Sequence, residues 1–213
     1  MMSDDHRLRV AVALTLLPLF AIAGAIGGGS FWPDVAAIRA LQELREDLPR
    51  LTLVAIAVTQ LGSVWATLGG GLIVSSVLGF KGERRRGLAL AALVIGERIT
   101  LDGLKLLLDR ARPALDAHPV ATHSSSFPSG HSGNSMAVFL GIALIAVPER
   151  MRRRAAAAAV GLAILVGLTR PFLGVHWPSD VIGGWALGAA LALTAASFAN
   201  QPGRAVSDGE KAA

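Results

Sequence analysis

The chain has 213 residues, a net charge of +5, 53% hydrophobic and 16% charged residues, and no tyrosine or cysteine. The lack of cysteine excludes disulfides and thiol chemistry, and the length argues for a single domain, residues 1–213. The apolar residues are gathered into blocks long enough to cross a hydrocarbon core of roughly 30 Å, with arginines in the short stretches between them; the positive charge therefore reads as an orientation signal in a membrane and not as a footprint for nucleic acid.

Residues 1–9 are polar and carry Arg7 and Arg9. The first apolar block runs from about 10 to 28. Its triplet Ala21-Ile22-Ala23 also resembles a signal-peptide cleavage site, but apolar residues continue beyond it, which favours a retained span. Phe31, Val35, Ile38, Leu41, Leu44 and Leu48 then recur at spacings of three and four, predicting a short amphipathic helix along the membrane interface. An ordinary loop helix would give the same pattern.

The second block, 51–80, contains the run Gly69-Gly70-Gly71 and is followed by the basic stretch Lys81 to Arg86. The third, 87–108, includes Glu97, Arg98, Asp102 and Lys105. A loop carrying His118 and His123, read as solvated, leads to the fourth block, 131–147. Pro148 to Arg154 is basic again, the fifth block covers about 155–170, and the sixth covers 178–198, with Gly184 and Gly188 four apart and suited to close helix packing within one chain or between two. Residues 200–213 read as a disordered polar tail. The predicted fold is an all-α bundle of six transmembrane helices. An even number of spans puts both termini and both arginine-rich loops on one side, which the positive-inside rule makes cytoplasmic at a plasma membrane. The 109–130 loop and the 171–177 turn then face outward together.

Three polar clusters lie at those outward ends. In the first, Arg98, Asp102, Lys105, Asp109 and Arg112 are spaced four, three, four, three, which predicts one helical stripe facing the bundle interior. A buried structural ion-pair ladder is the alternative. In the second, Phe127 to Ser135, Ser129 is a plausible N-cap, Gly130 permits close backbone approach, and His131 sits in the first turn, where free amides and the helix dipole favour an anion. A well-capped span with a surface histidine is the plainer account. In the third, Thr169 to Asp180, Pro171 and Pro178 are expected to keep a helix from running straight through, Pro178 to open the next helix, and Asp180 to orient His176 from four residues away. Arg170 offers a guanidinium fork suited to phosphate. Taken alone this stretch fits a polar re-entrant turn. Together the clusters supply three cations and two histidines, a set that suits phosphoryl chemistry.

Lys105-(six residues)-Arg112-Pro113, then Pro128-Ser129-Gly130-His131, then Thr169-Arg170-(five residues)-His176-(three residues)-Asp180 resembles the three-part signature of the type-2 phosphatidic acid phosphatase superfamily. The resemblance implies that His176 attacks phosphorus, that Asp180 orients it, and that His131 protonates the leaving group and then activates water. It further implies that Lys105, Arg112, Ser129, Gly130, Thr169 and Arg170 hold the phosphate, with no metal or cofactor. Threonine stands at 169 where the family usually has serine. Vanadate, a phosphate mimic, is an expected inhibitor. The implied substrate is a membrane lipid phosphate or pyrophosphate, with undecaprenyl pyrophosphate, phosphatidylglycerophosphate and phosphatidic acid all fitting, cleaved at the outer face. Transfer to an acceptor other than water, or a non-catalytic anion transporter, are the alternatives, and oligomeric state is open.

Overall fold

The computed structural model describes residues 18–19, 21–114, 119–120 and 124–201. The signal-like N-terminal residues before 18, His118, His123 and the tail beyond 201 lie outside the described residues.

Every regular element among the described residues is helical. Helical residues 21–27 pass through a 3-10 turn, Gly28–Ser30, into α1, Trp32–Asp47. Helix α1 is the amphipathic helix expected over this stretch, but its apolar stripe is only partly covered. Ile38 is buried and Leu41 packs on the cluster of Phe172, Leu173 and Val175, whereas Leu44 and Leu48 remain exposed. Asp34, in the first turn, is wholly buried.

The block 51–80 is not one straight helix. Helix α2, Pro49–Thr59, runs into a 3-10 turn, Gln60–Gly62, and α3, Val64–Phe80, leaves at 41°. The break falls at Ser63, whose extended backbone and hydroxyl, accepting the Ala66 N–H at 3.3 Å, begin a new helix. The three glycines 69–71 lie inside α3.

Helix α4, Arg84–Leu108, ends where Asp109 turns left-handed at φ 34°. The charged stripe predicted to reach Arg112 therefore stops with the helix. Glu97, Leu101 and Lys105 form its buried face, while Arg98 and Asp102 pair at its half-exposed edge at 2.6 Å. Helix α5 spans Gly130–Ile145, α6 Glu149–Phe172, and α7 Pro178–Ala199. Pro178 opens α7 as expected. Helix α6 ends at Phe172, one residue past Pro171, so no helix runs straight through to α7, as expected. The chain turns at Gly174, φ +71°, whose N–H meets the Pro171 carbonyl at 2.9 Å.

Helices α6 and α7 are long and apolar enough to cross a membrane, and the bent α2–α3 pair makes a third if it is one span. The charges of α4 and the 16-residue length of α5 keep both outside that class, so the described residues reach two or three such spans and not the six expected. Helix α5 lies at the centre. Leu90, Leu93 and Val94 of α4, Ala163 of α6 and Ala192 and Ala196 of α7 surround its Ala137, Val138 and Ile145. The outer faces carry Phe80, Trp65 and Leu106, all more than 80% exposed, as a lipid-facing surface requires.

Between helices in lipid, close van der Waals contact does more than hydrophobic transfer. Gly184 and Gly188 use it inside the chain. A methyl at Gly184 would lie 2.6 Å from the Ser129 carbonyl oxygen, and one at Gly188 2.6 Å from that of Gly133. Gly184→Ala is expected to push α7 off the start of α5 and to cost about 1–3 kcal/mol, read as a lower unfolding temperature in detergent; an unchanged transition would mean the helices can separate freely there.

The arginine-rich ends gather at one pole. Arg85 donates to the Gln201 carbonyl at 2.8 Å, and the Asn200 amide reaches Leu144 O at 3.3 Å beside the 149–154 stretch. The other end of α7 is about 33 Å away along 22 residues.

Candidate functional site

At that other end the chain brings the three predicted clusters together. The Ser129 N–H donates to the Asp180 carbonyl at 3.0 Å, tying the start of α5 to the first turn of α7. Lys105, on the last turn of α4, sits beside Gly130, where an added Cβ would lie 3.9 Å from its Cε. The bend in the second block serves the same end. Thr59 Oγ1 accepts from Arg170 Nη1 at 2.8 Å, and Gly62 lies directly under His131.

Asp180 accepts the Trp177 N–H at 2.8 Å, which fixes the carboxylate at the head of α7. Its Oδ2 is 3.5 Å from His176 Nδ1, so the expected orienting pair is adjacent but long. On the other side of the ring, Arg112 Nη1 lies 3.0 Å from His176 Nε2 and 2.6 Å from Val175 O. A guanidinium is a donor only, so Nε2 must accept and the ring proton belongs on Nδ1. His176 is 2% exposed. Burial, with the charges of Arg112, Arg170, Lys105 and His131, holds it well below its ordinary value, leaving a neutral imidazole with its Nε2 lone pair available. Burial also lowers the Arg112 guanidinium, partly offset by Asp180.

The cations are unusual in their partners. Among the described residues no carboxylate forms an ion pair with Lys105, Arg112 or Arg170. Lys105 donates to Ser125 O at 2.7 Å, Arg112 Nε to Ser124 O at 2.8 Å, and the buried Arg170 Nε has no partner. Buried charge is ordinarily paired, so the buried Lys105 and Arg170, with the half-buried Arg112, describe a place for an anion around a neutral imidazole. Ser129 occupies the N-cap position of α5, but its side chain does not cap the helix and instead accepts from Ser132 Oγ at 3.0 Å. The first-turn amides of α5 thus lack a side-chain cap. The Thr169 hydroxyl donates back to Val166 O at 2.5 Å, so its proton is engaged within α6 and not directed at the site.

Several residues of the site were not singled out from the sequence. Ser124, Ser125 and Ser126 stitch the Lys105–Arg112 segment to His176. Ser126 Oγ donates to Asp180 Oδ2 at 2.5 Å and stands 3.4 Å from His176 Nδ1. Arg110 is buried and bridges Asp180 Oδ1 at 2.5 Å, Asp34 Oδ2 at 2.7 Å, Ser179 Oγ at 2.7 Å and Gly28 O at 3.0 Å. A serine triplet against Phe-Pro-Ser-Gly-His was a visible signal. The partnership of Asp34 with Arg110, 76 residues apart, was not. Glu97 is buried beside Gly133, and Asn134, with its amide turned to satisfy both ends, donates to it at 3.0 and 3.1 Å.

The neutral buried imidazole has a consequence for stability. An unfolded histidine takes up a proton near its ordinary value, and the native one resists it. Stability is therefore present above that value and is lost as pH falls below about 6.5, by at most ~1.4 kcal/mol per pH unit for this one group. In phosphate-free detergent buffer, His176→Gln is expected to lose stability less steeply than the parent between about pH 6.5 and 5; parallel slopes would contradict a neutral buried ring.

Comparison with known proteins identifies the family. The profile of the PAP2 superfamily matches residues 86–204. The chain is 33% identical over 161 residues to phosphatidylglycerophosphatase B of Bacillus subtilis, covering 73% of this chain and 77% of that protein. A lipid A 1-phosphatase of Rhizobium johnstonii is 41% identical over 106 residues, 45% of this chain and 41% of the relative. Among solved structures, a transmembrane PAP2-type phosphatidylglycerolphosphate phosphatase from Bacillus subtilis superposes with a TM-score of 0.76 at 32% identity, covering 88% of this chain and 94% of that one. Aquifex aeolicus LpxE, at 24% identity and a TM-score of 0.59 over 77% of this chain and 94% of its own, shares the fold.

Proposed function

The chain belongs to the PAP2 superfamily and is an integral membrane lipid phosphate phosphatase, and from that premise we propose that it hydrolyses a phosphate or pyrophosphate monoester of a lipid through a phosphohistidine on His176. The observation that carries this reading is the set of three cations, Lys105, Arg112 and Arg170, that meet no carboxylate among the described residues and converge on a neutral imidazole.

The proposed sequence is as follows. The phosphate enters among the three cations and the uncapped amides at the start of α5, and Arg112 transfers its N–H contact from Nε2 to a phosphate oxygen. The Nε2 lone pair attacks phosphorus as the bond to the leaving oxygen breaks. His131, carrying a proton brought in with the phosphate monoanion, gives that oxygen the proton and is left neutral. His131 then takes a proton from water as the water attacks the phosphohistidine, the P–N bond breaks, and inorganic phosphate leaves. Asp180 keeps the Nδ1–H face of His176 oriented throughout. Ser129 and Gly130 shape the amide cradle, and the Thr59 hydroxyl holds Arg170 at 2.8 Å. The remaining charge stabilisation is electrostatic, so no metal is invoked.

We place the site at the extracytoplasmic end of a six-span bundle, one domain with both termini cytoplasmic. The arginine-rich pole lies about one α7 length from the site, which suits this orientation. Phosphatidylglycerophosphate is the leading substrate, because the relative that this chain matches over most of its length is a phosphatidylglycerophosphatase.

The test is phosphate release by detergent-purified protein, with chelator, against phosphatidylglycerophosphate, phosphatidic acid, undecaprenyl pyrophosphate, a lipid A 1-phosphate and a soluble phosphate monoester. Turnover of one lipid above the rest, inhibited by vanadate, is expected. Turnover that collapses with chelator, or is indifferent to vanadate, would overturn the phosphohistidine route.

A further inference from the structure

We propose that Ser126 is a positioning residue for the hydrolytic reaction, standing between Asp180 and His176 and passing the carboxylate's hold on to the ring. The inference deepens the proposed role of His176 and rests on it for its kinetic consequence.

The argument follows from donors and acceptors. Arg112 Nη1 at 3.0 Å obliges His176 Nε2 to accept, so Nδ1 carries the proton and needs an acceptor. Two are in range: Ser126 Oγ at 3.4 Å and Asp180 Oδ2 at 3.5 Å. The carboxylate is already heavily engaged. Oδ2 accepts from Ser126 Oγ at 2.5 Å and from the Trp177 N–H at 2.8 Å, and Oδ1 accepts from Arg110. The Ser126 hydroxyl has one proton, which goes to Asp180, and its lone pairs then face Nδ1–H. The chain is therefore His176 Nδ1–H to Ser126 Oγ–H to Asp180 Oδ2.

The serine is held for this task. It is wholly buried, and its own N–H donates to Arg110 O at 2.7 Å. Arg110 in turn holds Oδ1 of the same carboxylate at 2.5 Å. One residue's backbone and side chain thus fix two members of the relay, the serine and the carboxylate. Losing one hydrogen bond in a chain that ends on a charged group typically corresponds to roughly 10- to 100-fold in rate.

The first readout needs no substrate. In protein labelled with ¹⁵N-histidine, the His176 ring signals, identified by their loss in His176→Gln, are expected to show the Nδ1–H tautomer. Ser126→Ala is expected to leave that tautomer, which Arg112 sets, but to shift the Nδ1–H signal and to speed exchange of its proton with water, and Ser126→Thr, which keeps the hydroxyl, to restore both. An Nδ1–H signal and exchange rate unchanged in Ser126→Ala overturn the inference.

The second readout is turnover of phosphatidylglycerophosphate in mixed micelles. Ser126→Ala is expected to lower kcat by roughly 10- to 100-fold with KM within about twofold, since the group touches the ring and not the phosphate. Because both residues act on the same ring, Ser126→Ala is expected to add little to Asp180→Asn. Additive losses would assign Ser126 a separate structural role and overturn the relay. Undiminished turnover in His176→Gln would defeat the nucleophile itself. A dead His176→Gln beside a fully active Ser126→Ala with an unchanged Nδ1–H signal would defeat this inference alone.

Discussion

His176→Ala is expected to lower phosphate release by at least about 10⁴-fold while leaving a folded protein. The three cations and the α5 amides would still bind and polarise a phosphate, but nothing remains at bonding distance except water without a covalent route. The fold should tolerate the change because the ring is neutral in its resting state, so removing it strands no buried charge. The cost is a cavity and two lost contacts, to Arg112 and Ser126, and about 1–3 kcal/mol is expected. A labelled-phosphate pulse, quenched in base because phosphohistidine is acid-labile, is expected to mark the parent protein and not this variant. His131→Ala separates the two histidines. With a soluble ester of good leaving ability, it is expected to become labelled and to hold the label, since departure then needs little acid while hydrolysis still needs a base. Persistent turnover and labelling in His176→Ala would place the nucleophile elsewhere.

How much of this was readable in the sequence depends on the range of the information. Residues within a few positions of one another were legible: the head of α7 at Pro178, the order His176 to Asp180, the start of α5 at Ser129, and the amphipathic α1. Joining the clusters at one end of the bundle followed from hydropathy and from the loops between the blocks. Local backbone endings were less legible. The four-three spacing continued the α4 stripe to Arg112, but Asp109 closes the helix in a left-handed turn, and this very break lets Arg110 and Arg112 point inward from an extended segment. The break at Ser63 falls after Gln60 and Gly62 inside an apolar block, whereas the run Gly69-Gly70-Gly71 continues as helix within α3. What no pattern encoded was Asp34. Its burial against Arg110 is a contact between the amphipathic helix and the segment after α4, and periodicity within either one says nothing of it.

That contact carries the largest stability effect expected of any single change. Arg110 is paired at 2.7 Å with Asp34 and at 2.5 Å with Asp180, all three side chains essentially without exposure, and its guanidinium lies 5.6 Å from the centroid of the Trp177 ring. Removing the cation leaves two buried carboxylates facing each other, and Ser179, which also donates to Asp34, cannot neutralise either. Arg110→Met keeps most of the volume and is expected to cost about 3–5 kcal/mol, which lowers the unfolding temperature of a chain this size by roughly 10 °C. Arg110→Lys is expected to recover only part of this, because one ammonium cannot reach Asp34, Asp180, Ser179 and the Gly28 carbonyl at once. The decisive comparison adds Asp34→Asn to Arg110→Met. It removes one of the two stranded charges, so the double variant is expected to be more stable than Arg110→Met alone, a reversal that independent contributions cannot produce. Activity should not return with stability. Asp180 would still lack the donor that fixes its Oδ1, and the His176 ring would still be loosely held, so a double variant that refolded and also regained full turnover would show that Arg110 serves the fold alone.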